Sequence, residues 1–302
     1  MIPVFDAEDY LEATLASVLE QEGVELDVVV VDDGSRDGTP DLLERYADRV
    51  RLVRIENSGG PSRPRNVGVE HARGDLVALF DADDLMLPGK LARATEVLAG
   101  HPDVGMLCTD FRVIDAEGVL LEESLLSEYR KFRNCLEPTD DPTVHRMPAG
   151  DAWRHLLRTN FVGTSSVVAR RDVLTAVGGF NESYKNADDI DMWIRIARAG
   201  HDLVFVDEIH HAYRRLATGV TARGALRSKS KIAVYEENRA HATDPEDREL
   251  IAMKLRSLWC GYGWALRRDG RRQEAVQAYQ NARREGEGWR AQLGLLRSRL
   301  GI

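Results

Sequence analysis

Three aspartates stand within four positions at Asp81-Ala82-Asp83-Asp84, directly after the apolar run 76–80. Carboxylates that close repel one another unless a cation or a basic group neutralises them. Oxygen-only ligands favour Mg2+ or Mn2+, and Mg2+ commonly takes one or two protein carboxylates and completes its shell with water and substrate phosphate. Helix capping ahead of Pro88 would account for one of the three, not for all. The cluster reads as a metal–phosphate site.

A second pair, Asp32-Asp33, ends the run 26–31 and leads into Gly34-Ser35 and Asp37-Gly38-Thr39. Turn and cap chemistry explains Gly34, Ser35 and Thr39. It does not explain two adjacent carboxylates at a strand end, where one can accept an N–H from a base or hold a cationic side chain. Further on, Asn57-Ser58-Gly59-Gly60-Pro61-Ser62 forms a turn whose glycines let backbone approach a ligand, and Arg65 beyond it can reach phosphate. The chain contains neither GxxxxGK[ST] nor GxGxxG, so P-loop and dinucleotide-binding readings lose their basis. A fourth cluster, Asp188-Asp189-Ile190-Asp191-Met192-Trp193, opens a helix. Acid at a helix N-terminus stabilises it by roughly 0.3–1 kcal/mol per residue. Crowded carboxylates also raise one another's pKa, which suits a general base near neutral pH. The residues alone leave these two readings even.

The elements that must position these clusters are legible in the apolar pattern. Leu11, Leu15, Val18 and Leu19 recur at helical spacing before the buried strand 26–31. Residues 51–55 alternate, 76–80 form another buried run, and Pro88 falls where a first helical turn accepts it. Strand and helix alternating at this pitch mean right-handed βαβ units and a mainly parallel sheet. Ligands of such sheets sit at the carboxyl ends of the strands, where all four clusters fall. Residues 137–148, rich in Pro, Asp and Thr, read as a surface loop or lid. An ordered block follows, with Ser165 to Ala169, a turn at Gly178-Gly179-Phe180, a helix over 189–199 and a strand over 203–206. From Gly224 the pattern is entirely helical. Leu266, Gly270, Glu274-Ala275, Tyr279 and Ala282 echo part of one tetratricopeptide unit, which alone is no repeat array.

Composition narrows the class of protein. The 302 residues are 43% hydrophobic and 30% charged, enough for both a core and a polar surface. No apolar run approaches the roughly 18–20 residues that span a bilayer, and the first residues lack the pattern of a signal peptide. Three cysteines, Cys108, Cys135 and Cys260, are too few and too scattered for a disulfide framework or a zinc site. A soluble protein of a reducing compartment is expected. The net charge of −9 divides into −16 over 1–222 and +7 over 223–302. The acidic part argues against nucleic acid as a partner. The basic tail is either a solvated helical surface or a face for anionic phospholipid.

In order and spacing these segments resemble family 2 glycosyltransferases of GT-A fold. The resemblance is carried by IPVFDAEDYLEATLASVLEQ, VVVVDDGSRDGT, NSGGPSRPRNVGVEHARGDLVALFDADD, VGGFNE and DDIDMWIRIARAG, and it covers about residues 1–215. It implies an α/β, Rossmann-like GT-A domain over 1–222 and a C-terminal all-helical extension over 223–302. It also implies an inverting, metal-dependent transfer of a sugar from a nucleotide diphosphate donor, UDP-sugar favoured, to a saccharide or lipid-linked acceptor in polysaccharide or glycoconjugate assembly. By position, Pro3 and Phe5 line the base pocket and Asp33 accepts the N3–H of uracil. Arg65 fixes the base or ribose-phosphate side, Asp81 and Ala82 lie beside the donor, and Asp83 holds Mn2+ or Mg2+. Asp189 is the catalytic base, with Asp188, Asp191 and Trp193 on the acceptor side. Phe5 and Asp6 stand where the family commonly has Tyr and Asn, and Leu216 stands where His is frequent. The chain begins almost inside its first strand, so either that strand is short or the start is truncated. His210 and His211 are expected to be structural or exposed. The expected location is cytoplasmic, with peripheral contact at the inner membrane face through the basic helices. Two alternatives stay open: a nucleotidyltransferase, and a non-catalytic GT-A protein recruiting partners through its helical tail.

Overall fold

The computed structural model describes residues 1–128, 133–216 and 224–300. The chain divides into two compact units, Met1–Ser183 with Asp188–Leu216, and Tyr184–Ala187 with Ala217–Ile302. The domain boundary expected between 222 and 223 lies outside the described residues.

The first unit begins with β1 (Ile2–Val4), α1 (Leu11–Leu19), β2 (Val29–Asp32), α2 (Thr39–Glu44), β3 (Arg51–Arg54), α3 (Ser62–His71) and β4 (Leu76–Ala78). The strands β1, β2 and β3 are parallel, with Ile2 opposite Val30 and Val30 opposite Leu52. All four residues of β2 are buried, so a continuous β-branched run is tolerated there. Two backbone bonds carry the ladder onward: the Met1 amine donates to the Ala78 carbonyl at 2.8 Å, and Phe80 N–H to Met1 O at 3.1 Å. Leu11, Leu15, Val30, Phe80 and Met86 pack into one core between these strands and α1.

The chain continues through β5 (Leu85–Met86), α4 (Lys90–Gly100), β6 (Val104–Ile114), β7 (Leu120–Glu122), β8 (Glu137–Pro138) and β9 (Val144–Met147). Then come α5 (Ala149–Arg158), β10 (Val168–Arg170), α6 (Arg171–Ala176), α7 (Asp188–Arg198) and β11 (Asp202–Arg214). The strand order is β4-β10-β6-β11-β9-β8, with β5 on β11 and β7 on β6. Among the described residues only β6 and β11 run parallel in this half, so the α/β sheet is parallel across β1–β3 and mixed beyond. The segment 137–148 is no lid: its ends pair as the β8–β9 hairpin on the sheet edge, and a tight reversal permits only antiparallel pairing. Pro88 lies outside α4, which starts at Lys90 behind Gly89 at φ +81°. The strand expected over 203–206 runs to Arg214, because register shifts after Val206 and Ile209 absorb its charged middle.

The second unit holds α8 (Gly224–Arg239), α9 (Pro245–Arg268), α10 (Arg272–Arg284) and α11 (Trp289–Leu300). Asp244 caps α9 by accepting the Glu246 N–H at 2.8 Å, with Pro245 in the first turn, where its missing N–H costs nothing. Leu266, Ala275, Ala278, Tyr279 and Leu295 form its core. A Cβ on Gly294 would stand 2.2 Å from the Tyr279 ring, so glycine is what lets α11 reach α10. No described helix is long and apolar enough to cross a membrane.

Candidate active site

Asp32 and Asp33, at the end of β2, do different work. Asp32 is buried, accepts the Ser35 N–H at 2.9 Å and meets Arg54 Nε at 3.3 Å, so it builds the turn. Asp33 Oδ1 accepts the Ser58 N–H at 2.8 Å, and its Oδ2 lies 2.9 Å from the Ser58 hydroxyl. Burial pushes the Asp33 carboxyl up against the pull of both bonds. Gly34 between the two loops has φ +73°, and a Cβ there would lie 2.8 Å from Asn57 N, which no other residue accommodates. The glycine turn is thus tied to Asp33 in this structure. Pro3 in β1 is half-buried and Phe5 just beyond it is 47% exposed. The loop after β1 is laced to the 35–39 loop through Asp6 N–Ser35 Oγ at 3.0 Å and Ala7 N–Thr39 Oγ1 at 2.9 Å.

Arg65, on α3, lies between the turn after β4 and the start of α7. Its Nη2 meets Asp81 Oδ1 at 2.8 Å and its Nη1 meets Asp188 Oδ2 at 2.6 Å. The guanidinium also lies 5.5 Å from the Phe180 ring centroid, and its buried Nε has no hydrogen-bond partner among the described residues. One planar fork therefore ties the turn after β4 to the first residue of α7. Asp188 is buried, and burial pushes its carboxyl up while Arg65 pulls it down. With both its Nη groups committed to carboxylates, Arg65 is a spacer between acidic groups.

The turn after β4 is held from several sides. The Thr14 hydroxyl lies 2.9 and 2.8 Å from the carbonyls of Ala82 and Asp84, and Asp81 N–H donates to Ser165 Oγ at 3.0 Å. Asp84 is buried and accepts the Arg214 N–H at 2.8 Å, while Arg214 Nε donates to the Asp83 carbonyl at 2.9 Å. Behind it Lys90 is fully buried, donates to the Ser165 carbonyl, and is brought down to about 7 by desolvation despite Asp84. Asp83 is different. No side-chain donor reaches its carboxylate among the described residues, and burial together with Asp81 pushes it up to about 6. A partly dehydrated carboxylate beside a second one is the donor chemistry a hard divalent cation relieves. Among the described residues no set of three or more His, Cys, Asp and Glu could hold an ion by itself. Asp83 with Asp81 suits an ion that takes the rest of its shell from phosphate and water.

On the opposite side Asp189 opens α7 half-buried, and its Oδ2 accepts the Asn160 amide at 3.0 Å. The other acidic residues of that helix are used elsewhere. Asp191 is bound by Arg195 Nε and Nη2 at 2.9 and 2.7 Å, and Arg195 in turn grips the carbonyls of Val177 and Gly179. Two residues are 200° apart around a helix, so Asp191 cannot share a face with Asp189. Trp193 is fully buried, edge-on to Phe180 at 6.3 Å. Asp188, Asp191 and Trp193, expected on the acceptor side, are a buried ion pair, a turn clamp and a core residue.

Several partners were not legible in the sequence. Asn160, Thr14 and Ser165 carry no motif, and Lys90 two residues after a proline reads as an exposed helix start. His210 and His211 are structural: His210 bonds Glu208 at 3.0 Å, and His211 is stacked on Phe111 at 4.7 Å.

Residues 1–149 match the family model described as glycosyl transferase family 2. The putative teichuronic acid biosynthesis glycosyltransferase TuaG of Bacillus subtilis is 25% identical over 78% of this chain and 85% of its own. Four other curated relatives are spanned over only 18% to 60% of their length. S. aureus TarS 1–349 in complex with UDP-GlcNAc superposes with a TM-score of 0.63 at 17% identity, over 99% of this chain and 90% of that one. Mannosyltransferase PcManGT from Pyrobaculum calidifontis, in complex with GDP-Man and Mn2+, also gives 0.63, at 23% identity over 99% and 79%. These likenesses establish the GT-A fold.

Proposed function

The chain belongs to glycosyl transferase family 2 through residues 1–149, and we propose that it moves a sugar from a nucleoside diphosphate donor to an acceptor hydroxyl with inversion at the anomeric carbon. The observation that carries the reading is the Arg65 fork. Because it binds Asp81 and Asp188 at once, it supports a reading in which Asp83, two residues past Asp81, and Asp189, next after Asp188, serve one reaction space.

Pro3 and Phe5 offer the base an apolar surface. Asp33, acceptor-only when ionised, keeps lone pairs beyond those used by Ser58 and takes an imino N–H of the base. Uracil N3–H satisfies it with one bond, so a UDP-sugar is the donor proposed. Asp81 and Ala82 flank the sugar-phosphate, and Asp83 with Asp81 holds Mn2+ or Mg2+. Such an ion, when bound, neutralises charge that builds on the departing diphosphate. Asn160 donates to one oxygen of Asp189 and leaves the other to accept the proton of the attacking hydroxyl. Because that hydroxyl enters opposite the leaving diphosphate, a single displacement inverts the configuration. The likeness to TuaG supports an acceptor in a surface polysaccharide or glycoconjugate, saccharide or lipid-linked, and the basic helices support peripheral contact at a cytoplasmic membrane face.

Calorimetric titration of UDP, GDP and dTDP, each with and without Mn2+, tests the reading. Metal-dependent binding of UDP tighter than of GDP is the expected result. Failure of all three to bind overturns the donor assignment, and preference for GDP overturns the choice of a UDP-sugar.

A further inference from the structure

The helical unit carries a face that its own packing does not explain. Between α9 and α11 lies an open groove of about 710 Å3. Trp264 and Trp289 on its walls are 49% and 68% exposed, and Met253 and Leu293 beside them are also open to solvent. Each tryptophan has a cation of its own: the Arg268 guanidinium stands 4.8 Å from the Trp264 ring centroid, and that of Arg290 5.5 Å from Trp289. Arg256, Arg267 and Arg297 also line the groove, against Glu287 as its one acid.

The charge and the apolar groups together select the partner. With a balance of +7 over 223–302 the face attracts a polyanion and repels a second copy of itself. Exposed Met253, Leu293 and Leu296 gain only from an apolar phase, which a nucleic acid backbone does not supply. Tryptophan sits at the boundary between acyl chains and headgroups, with its ring in one and its N–H in the other. Arginine lays its stem along apolar surface and puts its head at phosphate depth. We propose that this groove docks the chain onto an anionic phospholipid bilayer. The docking stands independently of the catalytic reading; only its use, bringing the enzyme to a membrane-borne acceptor, rests on that reading.

Co-sedimentation of the full chain with vesicles of phosphatidylcholine, alone or mixed with phosphatidylglycerol, tests the proposal. The chain is expected to bind the mixed vesicles and not the neutral ones, to be released by salt, and to lose about tenfold or more in partitioning when Arg290→Glu and Arg297→Glu are combined. Trp289→Phe, a milder change, should reduce quenching of tryptophan fluorescence by brominated acyl chains. UDP binding should be unchanged in both variants, which separates failure of the docking from failure of the donor assignment. Equal binding to both vesicle types, or full binding by the charge-reversed chain, overturns the proposal. So does a concentration-dependent dimer that Trp289→Phe abolishes without any vesicle binding, or retention on RNA in its place.

Discussion

The two units handle charge in opposite ways. In the first, Arg65, Asp81, Asp188, Asp84, Lys90 and Arg214 are largely sequestered, and each meets a partner of opposite sign or a backbone group. In the helical unit, arginines stand in the open, over aromatic rings or beside a carboxylate on the next turn. A buried charge is fixed in place and expensive to strand, which suits a reaction that needs carboxylates at set positions. An exposed charge is cheap and screened by salt, which suits reversible contact with a large surface.

The contrast can be broken or sharpened by substitution. The largest effect is expected from Asp189→Asn, which should lower kcat by about 10²–10⁴ in a steady-state assay while UDP affinity stays as it was. A parallel loss of UDP affinity would move Asp189 to the donor side. Next is Arg65→Met, which strands Asp188 and Asp81 and should cost about 3–5 kcal/mol of stability in chemical denaturation. Adding Asp188→Leu should recover part of that cost, since the two changes remove one interaction. A fully additive pair would mean that the fork contributes nothing.

Asp83 gives a pH dependence. Its carboxyl is raised from 3.8 to about 6, so the folded chain holds a proton that the unfolded chain releases earlier. The stability this group contributes is therefore complete below about pH 4 and is lost as pH rises through about 6. Metal reverses the dependence, because only the ionised carboxylate ligates. Mn2+-dependent UDP binding should weaken as pH falls through 6, with the midpoint drawn lower at saturating Mn2+, and Asp83→Ala should abolish the metal dependence at every pH.

The helical unit should answer to packing instead. Gly294→Ala forces α11 off the Tyr279 ring, and an overpacking cost of about 1–3 kcal/mol outweighs a helix preference of about 1 kcal/mol. Its melting midpoint should fall by a few degrees with UDP binding unaltered. The smallest effect is expected for Arg271→Ala, whose ion pair with Glu274 is exposed. No measurable change in melting should follow.

Much of the first unit could be read from residue order. Buried runs at β2 and β4, the helical spacing of α1, and carboxylates at strand ends pointed to βαβ units with a site at the sheet edge, while the family came from the resemblance of whole motif segments. The second half was harder. The polar residues Asp207, Glu208, His210 and His211 conceal β11, whose bulges place them without ending the strand. Pro138 conceals β8, because an edge strand tolerates a residue that cannot donate.

Sequence alone determined which residue types cluster and in what order, because hydrophobic period and turn chemistry are local properties. It could not decide which aspartate of a cluster faces the reaction space. Asp188, Asp189 and Asp191 are near neighbours in the chain, yet Arg65, Asn160 and Arg195 reach them from three different elements. Only tertiary structure sets the first two pairings, since they join residues 29 and 123 positions apart, whereas Arg195 reaches Asp191 from the next turn of the same helix. The same holds for the groove: residues of two helices share one open face only after α11 has docked on α10 through Gly294.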